Sequence, residues 1–187
     1  RNGIVEFFEQ TIQNLKSIRI IRILADSGYY CSQFVEHLEK NCYKYVISVP
    51  IISVLQSKIY HLKTWSKVTD GIEVGEFNFE HVSVNWGRLR RYIVIRQEIA
   101  QRPKAPGKQL SIFEKLNEPI RYRHQLLMTN DESSTAHQIW NYYKPRAIDE
   151  TIIENLKNGF GFDAFNLKSF WATEAVLMTV CLIYHNL

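Results

Sequence analysis

The sequence predicts an α/β fold in which a sheet-and-helix core is interrupted by a run of short strands and closed by helices. Three observations carry this. Residues 4–51 alternate helix-like and strand-like segments, residues 52–130 switch to short alternating strands, and from 131 onward the pattern is helical. The 187 residues, 45% of them hydrophobic, suffice for one domain with a real core or one domain carrying a large insertion. The expected division is therefore 1–51 for the core, 52–130 for a β-rich insertion with a basic loop, and 131–187 for the closing helices.

Each element follows from its residues. Ile4, Phe7, Phe8, Ile12 and Leu15 fall near a helical period, which predicts a helix over 4–17. "SIRIIRILADSGYY" (17–30) is a β-branched apolar run that stops at Asp26 and breaks at Gly28, the pattern of a buried strand ending in a loop. "SQFVEHLEKN" (32–41) is amphipathic and helical, and "KYVISVPI" (44–51) is a second apolar strand. "HLKTWSKVT", "IEVGEFNF", "HVSVNW" and "RRYIVIRQEIA" then read as strands, with a turn at Asp70-Gly71. The prolines, glycine and basic residues of 101–119 predict a loop, and "YRHQLLMTN" (122–130) returns to strand. "NDESSTAHQIWNYY" opens with capping residues and runs to Pro145, which costs little at a first helical position. A second helix is expected from Pro145 with Gly159 at its C-terminal end, and "AVLMTVCLIY" (175–184), too short to span a bilayer, as a buried helix.

Composition narrows the function classes. The net charge is only +4, but residues 81–128 hold ten of the 23 Lys and Arg against three acids, a local balance of +7 that suggests a polyanionic partner or a solvated basic face. Cys31, Cys42 and Cys181 form no CxxC pair, and the six histidines have no metal-ligand spacing, so a structural zinc site is not expected and a reduced compartment is the simplest context. No secretion signal is visible; the chain opens on Arg1 in what reads as the interior of a longer domain.

On the helix expected after Pro145, Ile148, Ile152 and Leu156 lie within about 80° and form an apolar stripe, while Arg146, Glu150 and Lys157 share a face within about 40°. An exposed Arg–Glu pair with a solvated Lys is the plain reading of that face. A sharper one joins Glu150 to the end of the strand that stops at Asp26, where two carboxylates can share a divalent metal and Arg146 and Lys157 can hold phosphate. Asp149 lies about 100° from Glu150 around the helix, and Asp70 is explained by its turn.

Tyr143, Arg146, Glu150 and Lys157 reproduce a Y-x2-R-x3-E-x6-K signature, and "ILADSGYY" resembles the segment around a second catalytic aspartate; both are features of bacterial insertion-sequence DDE transposases. "RRYIVIR" resembles the basic strand of that family's insertion and "CLIYHNL" its closing helix, so the resemblance covers nearly the whole chain. It implies a ribonuclease H-like core, incomplete at the N-terminus, with a β-rich insertion before the last catalytic helices. It implies two Mg2+ (or Mn2+) ions held by an Asp, Asp, Glu triad that cleave DNA and join transposon ends to a target. Asp26 would be the second carboxylate and Glu150 the third, both metal ligands, with Tyr143, Arg146 and Lys157 on the transposon end. Trp65 or Trp86 would hold a flipped base if the relatives' hairpin route applies, although a Trp in a β-rich region is more often core.

The partners implied are double-stranded DNA, at transposon ends and target, and a second copy in a DNA-bound homodimer, with no membrane, in a bacterial cytoplasm near the nucleoid. Only Glu6 and Glu9 precede Asp26 as acids, so the first aspartate is absent and the chain alone is expected to be inert. A non-catalytic DNA-binding remnant and another ribonuclease H-like nuclease, such as a junction resolvase, are the alternative readings.

Overall fold

The computed structural model describes residues 3–16, 18–81, 86–99, 122–161, 164 and 167–185; the side chains of Ala147, Asp149, Glu150 and His185 fall outside the description. The chain divides into two compact units, Arg1–Tyr143 and Lys144–Leu187, which are taken one at a time.

In the first unit, α1 (Ile4–Asn14) precedes β1 (Ile23–Ala25), a 3-10 turn (Ser27–Tyr29), α2 (Ser32–Lys40), β2 (Tyr45–Ser48) and α3 (Ser53–Tyr60). Then come β3 (Ser66–Thr69), β4 (Ile72–Glu80), β5 (Leu89–Glu98), β6 (Tyr122–Thr129) and α4 (Ala136–Tyr143). One six-stranded sheet in the order β1-β2-β6-β5-β4-β3 holds them together. β1 and β2 are parallel and every other pairing is antiparallel. The expected insertion strands thus continue the same sheet, because β6 returns beside β2 with Val46 opposite Thr129 and Ser48 opposite Leu127.

The central strands read as unbroken apolar runs because both faces are covered. Alternate residues Tyr45, Ile47, Tyr92, Val94, Leu126 and Met128 face the cluster built with Phe8, Phe34, Val35, Leu38, Leu55 and Ile59 of α1–α3. Val46, Ile93, Ile95 and Leu127 face the other side, where Ile139 and Tyr143 of α4 cover them. Asp70-Gly71 forms the β3–β4 turn as expected, with Gly71 at φ +71, a conformation glycine adopts without strain.

Several expectations change. The buried strand expected to stop at Asp26 is only three residues long and lies at the sheet edge; it pairs among the described residues only with β2, and Ile18, Ile21 and Leu24 are exposed. Helix α3 was not anticipated, since Leu55 and Ile59 are its only buried residues. The strand expected at "HVSVNW" lies at 82–85 outside the described residues, as does the loop at 101–119.

In the second unit, a 3-10 turn (Lys144–Arg146) leads into α5 (Ala147–Phe160), followed by α6 (Phe170–His185). Pro145 therefore sits inside the turn rather than at the first α-helical position, and α5 runs through Gly159 to end at Gly161, whose left-handed φ of 62 closes the helix. The two helices meet near one end, where Asn155 Nδ2 donates to the Tyr184 hydroxyl at 3.2 Å and Phe160 packs edge-on against Tyr184. Leu156 and Val180 are buried, whereas Ile148, a full turn or more from that contact, is exposed, and so are Met178, Leu182 and Ile183 of α6. The apolar stripe of α5 is thus shorter than expected and α6 is only partly buried.

Candidate active site

Asp26 ends β1 as the sequence implies. Its backbone is extended (φ −81, ψ −178), and its Oδ1 accepts the Gly28 N–H at 2.8 Å, the short-range turn that stops the strand and caps the 3-10 segment. A side chain at position 28 would place its Cβ 2.9 Å from that oxygen, so glycine there keeps the carboxylate in place. The carboxylate is half-buried.

Tyr143 arrives at the same strand end from 118 residues beyond Ala25: its hydroxyl donates to the Ala25 carbonyl at 3.2 Å, and its ring lies in the apolar cluster with Val46, Ile93 and Ile139. The neighbouring Tyr142 lies 3.8 Å from the Arg22 guanidinium, a cation–π contact at the other end of β1. What brings α4 here is the segment before it. Thr135 and Gln138 cap the helix reciprocally, the Thr135 N–H donating to Gln138 Oε1 at 2.8 Å and the Gln138 N–H to Thr135 Oγ1 at 3.2 Å. Just upstream, the fully buried Asp131 accepts from Arg22 at 2.6 Å and Lys44 at 3.0 Å, the residues that lead into β1 and β2, and from the Ser133 and Ser134 hydroxyls. Burial pushes the Asp131 carboxyl up, but those four donors outweigh it and hold the pKa far below the ordinary carboxylate range. Arg91 closes the loop by donating to the carbonyls of Asp131 and Ser134. Sequence reading missed this cluster; an Asp two residues ahead of Ser-Ser was the only local signal.

Arg146 ends the 3-10 turn, Glu150 lies in the first turns of α5, and Lys157 is exposed in its last turn. These three belong to the second unit, while Asp26 and Tyr143 belong to the first, where the structure brings them together. Both candidate tryptophans are built into the packing. Trp65 is half-buried, donates its indole N–H to the Leu62 carbonyl at 3.0 Å, and lies under the Arg96 guanidinium at 4.0 Å. Trp86 is only 6% exposed and packs on Tyr30.

Among the described residues of the basic segment, three of the five arginines are paired with carboxylates at close range. Arg90 grips Glu39 with two hydrogen bonds of 2.8 and 3.0 Å, Arg91 pairs with Glu76, and Arg96 with Glu73, directly opposite it across β4 and β5. Burial raises the Glu39 carboxyl, but the bonds from Arg90 and Tyr45 outweigh it and its pKa is lowered. Arg88 and Arg123 are the exposed cations of this segment among the described residues.

A carboxylate at a strand end is the hard oxygen donor that Mg2+ or Mn2+ takes, so Asp26 fits such an ion as one ligand. Among the described residues no group of three or more His, Cys, Asp and Glu gathers around it or anywhere else. A protein-family model described as the transposase DDE domain matches residues 3–186. The chain belongs to that transposase family. Comparison with curated proteins gives no match. The transposase family implies DNA as the partner and generally uses divalent metal ions. No helix among the described residues is long and apolar enough to cross a membrane.

Proposed function

We propose that this transposase chain is part of the catalytic domain of a bacterial insertion-sequence enzyme with a ribonuclease H-like core, acting on transposon ends. In this reading Asp26 and Glu150 are two of the three carboxylates that hold a pair of Mg2+ or Mn2+ ions. Such ions activate water and stabilise the leaving oxygen of a phosphodiester. Arg146 binds the end phosphates in bidentate fashion and Lys157 adds a point charge. Trp65, clasped between Arg96 and the Leu62 carbonyl, contributes to DNA only if it leaves that contact.

What supports the reading is the hydrogen bond from the Tyr143 hydroxyl to the Ala25 carbonyl, one residue before Asp26, in a chain matched by the transposase family over 3–186.

The test uses linear duplexes ending in the terminal repeats of the encoding element and matched random duplexes. Expected are preferential binding of the repeat ends that weakens steeply with salt and loss of that preference in Arg146→Ala. Equal binding of both duplexes by the wild-type chain would remove the transposon-end reading. Mg2+- or Mn2+-dependent nicking of the repeat ends that persists undiminished in both Asp26→Ala and Glu150→Ala would remove the metal-carboxylate reading and leave the family role standing.

A further inference from the structure

β1 is three residues long and paired, among the described residues, only with β2, yet it carries the residue on which the proposed chemistry depends. A strand end held by so few backbone bonds frays unless something else restrains it. Two restraints bear on it. On the N-terminal side of Asp26, the Tyr143 hydroxyl donates to the Ala25 carbonyl, which belongs to the same rigid peptide plane as the Asp26 N–H. Fixing that plane fixes the position of the Asp26 Cα and the direction of its N–Cα bond, leaving φ and the side-chain torsions to be held from the other side. On the C-terminal side, the Gly28 N–H holds Oδ1 at 2.8 Å and sets the side-chain torsion.

We propose that Tyr143 is a positioning residue for Asp26 rather than a DNA contact, and that its hydroxyl and the Gly28 amide together hold the carboxylate in one orientation. The proposal rests on the reading of Asp26 as a metal-binding carboxylate. The Tyr143 side chain has little surface to offer a phosphate: the residue is 5% exposed, and its ring packs among Val46, Ile93, Leu127 and Ile139. Tyr142 grips the opposite end of β1 through Arg22, so the two adjacent tyrosines at the end of α4 seat the whole short strand. Metal ligands tolerate displacements of only about 0.2–0.5 Å, so a peptide plane free to rock costs cation affinity even where the fold survives.

Tyr143→Phe keeps the ring and removes only the hydroxyl. In 15N-labelled full-length chain, water-exchange NMR should show the Gly28 amide exchanging at least about fivefold faster in this variant, with the Ile47 and Leu127 amides unchanged and binding of a random-sequence duplex unaltered. Mn2+ should broaden the Asp26–Gly28 resonances of the wild type, and this broadening should weaken in Tyr143→Phe and, from the other side of the same residue, in Gly28→Ala. An unchanged Gly28 amide in Tyr143→Phe overturns the proposal, most directly if duplex binding falls instead. So does parallel acceleration of every amide, which would make Tyr143 a general anchor. Mn2+ broadening that persists in Asp26→Asn would remove the metal-ligand reading itself, while the Gly28 exchange rate would still decide whether Tyr143 restrains the strand end.

Discussion

Strand β1 runs between two carboxylates that live in opposite conditions. At its start Asp131 is wholly buried, with two cations and two hydroxyls around it and the N–H of Ser133 at 3.1 Å as well. At its end Asp26 is half-buried and accepts the Gly28 N–H. The first is closed off among its donors; the second lies where solvent, and a ligand from solvent, can reach it. Both lie close to strand backbone, so position along the strand does not separate them. Burial does.

The sharpest way to break this contrast is Asp131→Ala. Removing one partner from a buried ion pair typically costs about 3–5 kcal/mol, and here Arg22, unlike the half-exposed Lys44, would be left largely desolvated. Arg22 Nε is already buried without a hydrogen-bond partner, and Arg22 would lose its carboxylate too. Urea unfolding of this variant should show a loss of that size; a loss under about 1 kcal/mol would mean the cluster is dispensable and the contrast between the two ends is false.

Acid separates the contributions further. His124, driven down to about 4 by burial and then by Arg96, stays neutral in the folded chain while the unfolded chain protonates near 6.5. Its folded pKa is depressed, so stability falls as pH drops from about 6.5 to about 4 and then levels off, a loss on the order of 2 kcal/mol that His124→Gln should abolish. The Asp131 pKa is also depressed, but for a carboxylate this stabilises above its unfolded value and is lost as pH falls below about 4. Urea midpoints from pH 7 to 3 should show both windows in the wild type and only the upper one in Asp131→Asn. Within the cluster, Ser134→Ala removes one hydroxyl donor, at 2.9 Å, and should cost about 1 kcal/mol by the same measurement.

The sequence made the sheet legible because its central strands carry side chains that must be buried on both faces, as in "YVIS" and "YIVI", and made α2 and α4 legible through their apolar spacing and caps. It concealed what depends on register. Arg96 looked like part of a basic patch until the β4–β5 pairing set Glu73 opposite it. Asp131 read as a helix-capping residue, since its partners Arg22 and Lys44 lie 109 and 87 positions away. Of the candidate site, Asp26 was visible as the stop to an apolar run and Tyr143 as part of a spacing. That the Tyr143 hydroxyl reaches Ala25 follows from the way Asp131, Arg91 and the α4 cap seat the helix, which no local pattern encodes.

The smallest effect on stability should belong to the residue with the largest proposed effect on function. Asp26→Asn keeps an oxygen to accept the Gly28 N–H and keeps the side-chain shape, so the turn that ends β1 survives. The site is half-solvated, and the change should stay within about 0.5 kcal/mol in urea unfolding. Yet an amide has one carbonyl oxygen and no charge where the carboxylate offers two oxygens and a full negative charge, so Mn2+ binding at this strand end should be lost in a titration followed by electron paramagnetic resonance. If Asp26→Asn instead cost several kcal/mol, the carboxylate would be doing structural work like that of Asp131, and the two ends of β1 would differ in exposure but not in role.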